Sequence, residues 1–209
     1  MDIFQARTQR NDIAVTTDGI LAPARLGDAY GLATMDAHPR YYDAVRRGNV
    51  FLVTNSAAQA LSTNSTTATG IILYNPANSG KNLAILEVIV QFASLGAGVI
   101  VTCLTGGIQA TAVTQTTTNV ANGVVNALIG GGNTSRTTVG SSATIATATI
   151  QRILPIGAAA TLSGSTSLLS VKDEVAGALV IPPGYVTSLQ CVTTAETVWG
   201  QISWEEIPT

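Results

Sequence analysis

Charge is what this chain lacks. Beyond Val50 only ten residues are acidic or basic: Lys81, Arg136, Arg152, Lys172, Glu87, Asp173, Glu174, Glu196, Glu205 and Glu206. Soluble domains keep about a quarter of their residues charged, because charged side chains hold folded surfaces apart. A body this weakly charged, rich in Thr, Ser, Ala and Gly, is expected to cover much of its surface with copies of itself or with a partner.

Other scarcities exclude whole classes of function. The formal net charge is −2, and the arginines before Val50 (Arg7, Arg10, Arg25, Arg40, Arg46, Arg47) are matched one for one by aspartates, so nothing draws the chain generally to nucleic acid. Two cysteines give no disulfide framework. Cys103 and Cys191 sit among apolar and β-branched neighbours and read as small buried hydrophobes. The single histidine, His38, has no companion for a metal site and reads as a structural group beside a helix start. No CxxC, HExxH or nucleophile elbow is present. The glycine clusters Gly96-Ala97-Gly98 and Gly130-Gly131-Gly132 lead into a strand and into Asn133-Thr134-Ser135-Arg136 without a P-loop lysine, so both read as turns. The adjacent carboxylates Asp173-Glu174 and Glu205-Glu206 would point to opposite faces of a strand, which is poor geometry for an acid-base pair. No cofactor and no enzymatic activity are expected. Met1-Asp2-Ile3-Phe4-Gln5 is acidic where a secretion signal is basic, which points to synthesis in the cytoplasm. The apolar window from Leu83 to Leu104 is interrupted by Glu87, Gln91 and Gly96-Ala97-Gly98, so two strands and a turn account for it better than a membrane span.

What is present from Val50 onward is a series of short β-rich runs separated by Gly, Pro, Asn and Ser. Expected strands are Val50–Val53, Gly70–Tyr74, Leu83–Phe92, Val99–Cys103, a long Thr-rich one over Ala143–Ile153, Ser167–Val171, Leu179–Ile181, Tyr185–Val192 and Val198–Ile207. Between them, Val120, Val124, Val125, Leu128 and Ile129 could form a short helix inside a long excursion. The fold predicted is an all-β, jelly-roll-like sandwich with an extended N-terminal arm. The arm covers 1–48 and contains a short helix near 39–47, with Pro39 in its first turn, Arg46 and Arg47 in its last and Gly48 ending it; the body covers 49–209.

Alternation along Leu83–Phe92 puts Ala84, Leu86, Val88, Val90 and Phe92 on one face and Leu83, Ile85, Glu87, Ile89 and Gln91 on the other. The second, mixed face suits a subunit contact: Ile85, Glu87, Ile89, Gln91 and, from the last strand, Trp199. Tyr185 and Trp199 could stack on carbohydrate, but aromatics in a closing strand fit a core or a subunit seam better.

Two motifs add a resemblance. Tyr74-Asn75-Pro76-Ala77-Asn78-Ser79-Gly80-Lys81-Asn82-Leu83 followed by an apolar strand, and the late Ile181-Pro182-Pro183-Gly184-Tyr185 turn with its closing strand Val198–Glu206, resemble small tailed-phage virion proteins with a β-sandwich body. The likeness runs over about Val50 to Pro208 and leaves the arm out. It implies a homotrimeric jelly roll on the virion, a capsid decoration (cement) protein whose partner is the major capsid protein, or alternatively a tail or fibre component that binds a receptor. No family active site comes with it. In the decoration case the arm would hold the capsid lattice through Ile3, Phe4, Arg7, Arg10, Arg25, Arg40, Tyr41, Tyr42, Arg46 and Arg47, a mixture of charges and apolar anchors that orders on binding.

Overall fold

The computed structural model describes residues 5–7, 21–23, 39–94, 101–109, 123–154 and 170–209. The chain divides into two compact units, Met1–Tyr41 and Tyr42–Thr209. In the first, β1 (Gln5–Arg7) pairs antiparallel with β2 (Leu21–Pro23), with Gln5 opposite Pro23 and Arg7 opposite Leu21. The lack of a clean period over Gly19–Gly31 implies extended or loop structure there, and β2 is a short extended segment within it.

The second unit begins with α1 (Tyr42–Arg46), shorter than the helix expected over 39–47. Its end follows from Gly48, whose φ of 71° closes a Schellman cap: Gly48 N–H donates to Val45 O at 2.8 Å and Asn49 N–H to Ala44 O at 3.1 Å. Then come β3 (Val50–Thr54), β4 (Gln59–Ala60), β5 (Thr67–Tyr74), β6 (Lys81–Ser94), β7 (Thr102–Ile108), β8 (Val125–Asn126), β9 (Thr138–Thr144), β10 (Thr149–Ile153), β11 (Ser170–Ile181), β12 (Tyr185–Cys191) and β13 (Thr197–Pro208).

These strands form two antiparallel sheets packed as a sandwich. The first runs β10-β7-β12-β5-β9, the second β11-β6-β13-β3-β8, with β4 on β13. With the two-residue strands and β9 set aside, pairing is nested: β3 with β13, β5 with β12, β6 with β11, β7 with β10. One long hairpin, folded over on itself and joined by the β6–β13 and β7–β12 ladders, gives this order. It is the strand order of a jelly roll, with β9 added at an edge beside β5.

Between the sheets lies the main core. It contains Ile71, Leu73, Leu104 and Leu189 from one sheet, and Phe51, Val53, Val88, Phe92, Ile202 and Trp204 from the other. Trp204 is fully buried with its ring centroid 6.3 Å from that of Phe51. Gly200 faces inward because a Cβ there would meet Ile71 Cδ1 at 2.8 Å.

The expected Thr-rich strand over Ala143–Ile153 is two strands at opposite edges of one sheet. Residues 145–148 cross the outer face between them. Ile145 N–H donates to Thr66 O at 2.8 Å and Ala146 N–H to Ile108 O at 2.9 Å, while Ile145 and Ala148 join Ala68, Ile72, Ala143, Val186 and Tyr74 in a second apolar cluster. This strap also explains Gly106-Gly107 inside β7. A Cβ on Gly107 would collide with the Thr147 carbonyl and lie 2.7 Å from Ile145 Cγ2. Periodicity has no term for a strand segment that must be thin enough to be crossed.

Other expectations are corrected in the same way. No helix forms at 123–132, where Val124 lies just before β8, Val125 in it, and Leu128 and Ile129 in the turns after it; Val120 lies outside the described residues. Asn126 Oδ1 takes the Leu128 N–H at 2.8 Å, a local bond that competes with a helix start. Ser170–Ile181 is one continuous strand with an irregularity between Glu174 and Leu179, where Ala176 and Gly177 have φ of 56° and 81°. Strand β7 starts later and runs further than Val99–Cys103, and residues 95–100 and 167–169 lie outside the described part.

Adding a methyl group beneath the strap tests this packing. Gly107→Ala should destabilise the fold by about 1–3 kcal/mol through overpacking, lowering Tm by several degrees in a thermal melt. Gly132→Ala, whose new Cβ would meet nothing within 4 Å, should leave Tm unchanged.

Candidate functional site

The two sheets differ in what covers their outer faces. The outer face of the first carries the strap and a buried polar network: Thr105 Oγ1 and Ser188 Oγ are 2.8 Å apart, and Gln190 Nε2 donates to Ser188 Oγ at 2.9 Å. The outer face of the second is a flat array of side chains in register. Ser170, Gln91 and Trp199 form one row, Lys172, Ile89, Gln201 and Thr54 the next, and Glu174, Glu87, Ser203 and Leu52 a third. Trp199 is 41% exposed. The charges gather at one side, where Lys172 Nζ lies 2.8 Å from Glu87 and 3.5 Å from Glu174, and the Glu87 hydrogen bond is the main cause of a raised Lys172 pKa.

Four of the five residues expected at a subunit contact, Glu87, Ile89, Gln91 and Trp199, therefore share this outward face. Ile85 does not. It is fully buried in the core, because the ladder slips between Ser203–Glu87 and Trp204–Ile85 and Leu86 is left as a bulge. Strict alternation through Leu83–Phe92 fails at that point: Leu83 and Ile85 point inward before the bulge, Val88, Val90 and Phe92 after it.

Of the expected capsid contacts, Ile3, Phe4, Arg10 and Arg25 lie outside the described residues, and Arg7 is described only as backbone in β1. His38 is also outside them. Arg40 is exposed with its guanidinium 5.4 Å from the centroid of the Tyr41 ring. Tyr42, Arg46 and Arg47 are exposed on and after α1. The C-terminal end of this helix is pinned to the body: Asn133 Nδ2 donates to Arg47 O at 2.8 Å and Asn126 Nδ2 to Gly48 O at 2.9 Å.

The paired carboxylates have separate structural partners. Glu206 is buried and accepts hydrogen bonds from Ser135 Oγ at 2.5 Å, Arg136 N–H at 2.9 Å and Thr137 Oγ1 at 3.0 Å, tying the loop before β9 to β13. Asp173 points inward and is held bidentately by Arg152 from the other sheet, at 2.5 and 2.9 Å. Glu174 lies beside Lys172 instead. Among the described residues no group of three or more His, Cys, Asp and Glu could hold a metal ion.

The two motifs behind the sequence resemblance meet in space, joined by Asn75 of the first. Asn75 is fully buried; its Nδ2 donates to Lys81 O at 2.8 Å and Ile181 O at 2.9 Å. Its backbone bonds the other turn as well, with Asn75 N–H to Tyr185 O at 2.9 Å and Gly184 N–H to Asn75 O at 2.7 Å. Asn55 plays a similar part between β3 and β13, donating to Ala57 O and Val198 O and accepting from Gly200 N–H. An Asn before Pro at a strand end reads as turn chemistry, so only the distant carbonyls reveal its role.

Asn75→Ala should cost about 2–4 kcal/mol in a denaturant melt, because it strands acceptors that are out of reach of water. A second measurement concerns the thiols. Burial pushes Cys103 and Cys191 up from 9.0 to about 11, with Cys191 adding to the effect on Cys103. Between those values the unfolded chain releases protons that the folded chain keeps, so this stabilisation is complete below about pH 9 and lost as pH rises through 11. Going from pH 8 to 10.5 should cost the wild type about 2–4 kcal/mol more than a Cys103→Ala/Cys191→Ala variant.

Comparison with family models, with curated proteins and with solved structures finds no match for this chain.

Proposed function

We propose that this chain is a virion structural protein: a homotrimeric capsid decoration protein whose body forms the trimer and whose N-terminal segment attaches it to the major capsid lattice. The observation that carries the proposal is the outward face of β6, β11 and β13, where Ile89 and Trp199 stand among Gln91, Gln201 and Ser203, with Lys172, Glu87, Glu174 and Glu205 set along the strands away from the Trp199 row. Interface centres are depleted in charge and enriched in aromatic residues, and this face has that composition. A closed ring of three would cover it on every copy.

The attachment role of the N-terminal unit rests on the partition of charge, with six arginines and six aspartates before Val50. It also rests on the division of the chain at Tyr41–Tyr42, which leaves the β-sandwich with its own core. A segment of both charge signs suits a lattice surface of mixed charge.

Light scattering of the full-length protein should give three times the 21.4 kDa chain mass. Ile89→Lys combined with Trp199→Glu should give a folded monomer, since both side chains point away from the core. A wild-type monomer at micromolar concentration would overturn the trimer. Deletion of residues 1–41 should leave a trimer that no longer binds undecorated capsids. Replacing Arg7, Arg10 and Arg25 together should weaken capsid binding and flatten its salt dependence. Full decoration by the truncated trimer would move attachment to the sandwich.

A further inference from the structure

A groove of about 480 Å³ opens in the body where β11 passes into β12, within the range of about 300–1,000 Å³ typical of ligand pockets. Pro182 and Tyr185 border it, with Ile108 opposite Tyr185 in the β7–β12 ladder and Leu179, Val180 and Ile181 at the end of β11. The strap and β10 contribute Thr147, Thr149 and Gln151, and β12 adds Val186 and Thr187. Gly106 and Gly107 contribute no side chains there, and Gln151 Cγ lies 3.2 Å from where a Gly106 Cβ would stand.

We infer that this groove binds an uncharged saccharide. None of its lining residues is charged, so it offers nothing to pair with a phosphate, a carboxylate or a basic side chain. What it offers is a combination of two surfaces. The Tyr185 ring, 40% exposed beside Ile108 and Val180, is an apolar platform. Thr147, Thr149 and Gln151 are exposed, and their hydroxyl and amide groups hold no hydrogen bond among the described residues. A pyranose ring has the complementary form, with C–H groups on its face to lie on an aromatic ring and hydroxyls around its edge to bond amides and hydroxyls. A purely apolar occupant would leave those three polar groups without water or partner on binding.

The site is held in shape before any ligand arrives. Tyr185 O accepts the Asn75 N–H at 2.9 Å, Asn75 Nδ2 bonds Ile181 O at 2.9 Å, and the strap is fixed by Ala146 N–H to Ile108 O at 2.9 Å. Little ordering would be lost on binding, which favours a small, weakly interacting ligand such as a sugar. The groove belongs wholly to the unit beginning at Tyr42, and its ligand does not depend on the capsid-decoration proposal.

Affinity electrophoresis of the full-length protein tests this in native gels containing soluble starch, galactomannan or barley β-glucan, with polygalacturonate as the charged counterpart. At least one neutral polymer should retard the protein, and polygalacturonate should not. Tyr185→Ala should abolish the retardation and Gln151→Ala should weaken it; Tyr185→Phe, which keeps the ring, and Trp199→Ala, on the other sheet, should preserve it. Gln151 is exposed, so its variant remains informative if Tyr185→Ala misfolds. Failure of all three neutral polymers to retard the wild type overturns the inference, as does retardation that survives Tyr185→Ala or is equally strong in polygalacturonate. Loss of oligomeric mass on Tyr185→Ala, without retardation of the wild type, would instead mark the groove as a contact between copies.

Discussion

The side-chain amide of Asn75 links parts of the chain that are 106 residues apart. It sits at the end of β5, which belongs to one sheet, and donates to carbonyls at the start of β6 and the end of β11, which belong to the other. In a nested hairpin these are the places where the chain leaves one layer for the next. A backbone changing layers cannot keep its ladder partners, so its buried carbonyls need donors from elsewhere. One Asn supplies two of them, and both neighbours being acceptors fixes which way its amide is turned. The bulk of the apolar core can then close between sheets whose crossing carbonyls have donors.

From this arrangement comes an asymmetry between the two outer faces. One sheet is crossed by residues 145–148 and buries Thr105, Ser188 and Gln190 beneath its surface, so its middle strands are covered on both sides. The other remains open and presents Trp199, Ile89 and Gln91 to whatever lies beyond. The insertion of β9 is what makes the difference. Adding a strand at the far edge obliges the chain to return across the sheet to reach β10, and the return carries Ile145 and Ala148 with it.

One ion pair locks the edges of the two sheets together. Arg152 and Asp173 join β10 to β11, the edge strands of the two sheets, and hold the open side of the sandwich together where no ladder runs. An inward-pointing carboxylate on an edge strand also discourages pairing with a foreign strand. Glu206 acts similarly on the loop before β9, which carries Ser135 and Thr137. Of the few charges of the body, Arg152, Asp173 and Glu206 fix its own elements, while Lys172, Glu87 and Glu174 pair with one another on the outer face.

The all-β character, the β6 and β13 strands, the inward set Val198, Ile202 and Trp204 on β13 and the glycine stop after α1 were all legible from local pattern, because alternation and capping depend on neighbours in sequence. So were the free, buried cysteines. The inward turn of Ile85 was not, since a bulge is set by the register of the partner strand. Nor were the split of Ala143–Ile153 into two strands, the need for Gly107, and the roles of Asn75 and Glu206. Each of those depends on a group brought near by folding: the Thr147 carbonyl over Gly107, the Ile181 carbonyl beside Asn75, the Ser135 hydroxyl against Glu206. Away from the β6 bulge and the 145–148 crossing, the sequence by itself determined which strand residues turn away from water and where most of the turns fall. Tertiary structure alone decided which face stays open and where Tyr185 meets Gln151, because those depend on distances between strands that no local period encodes.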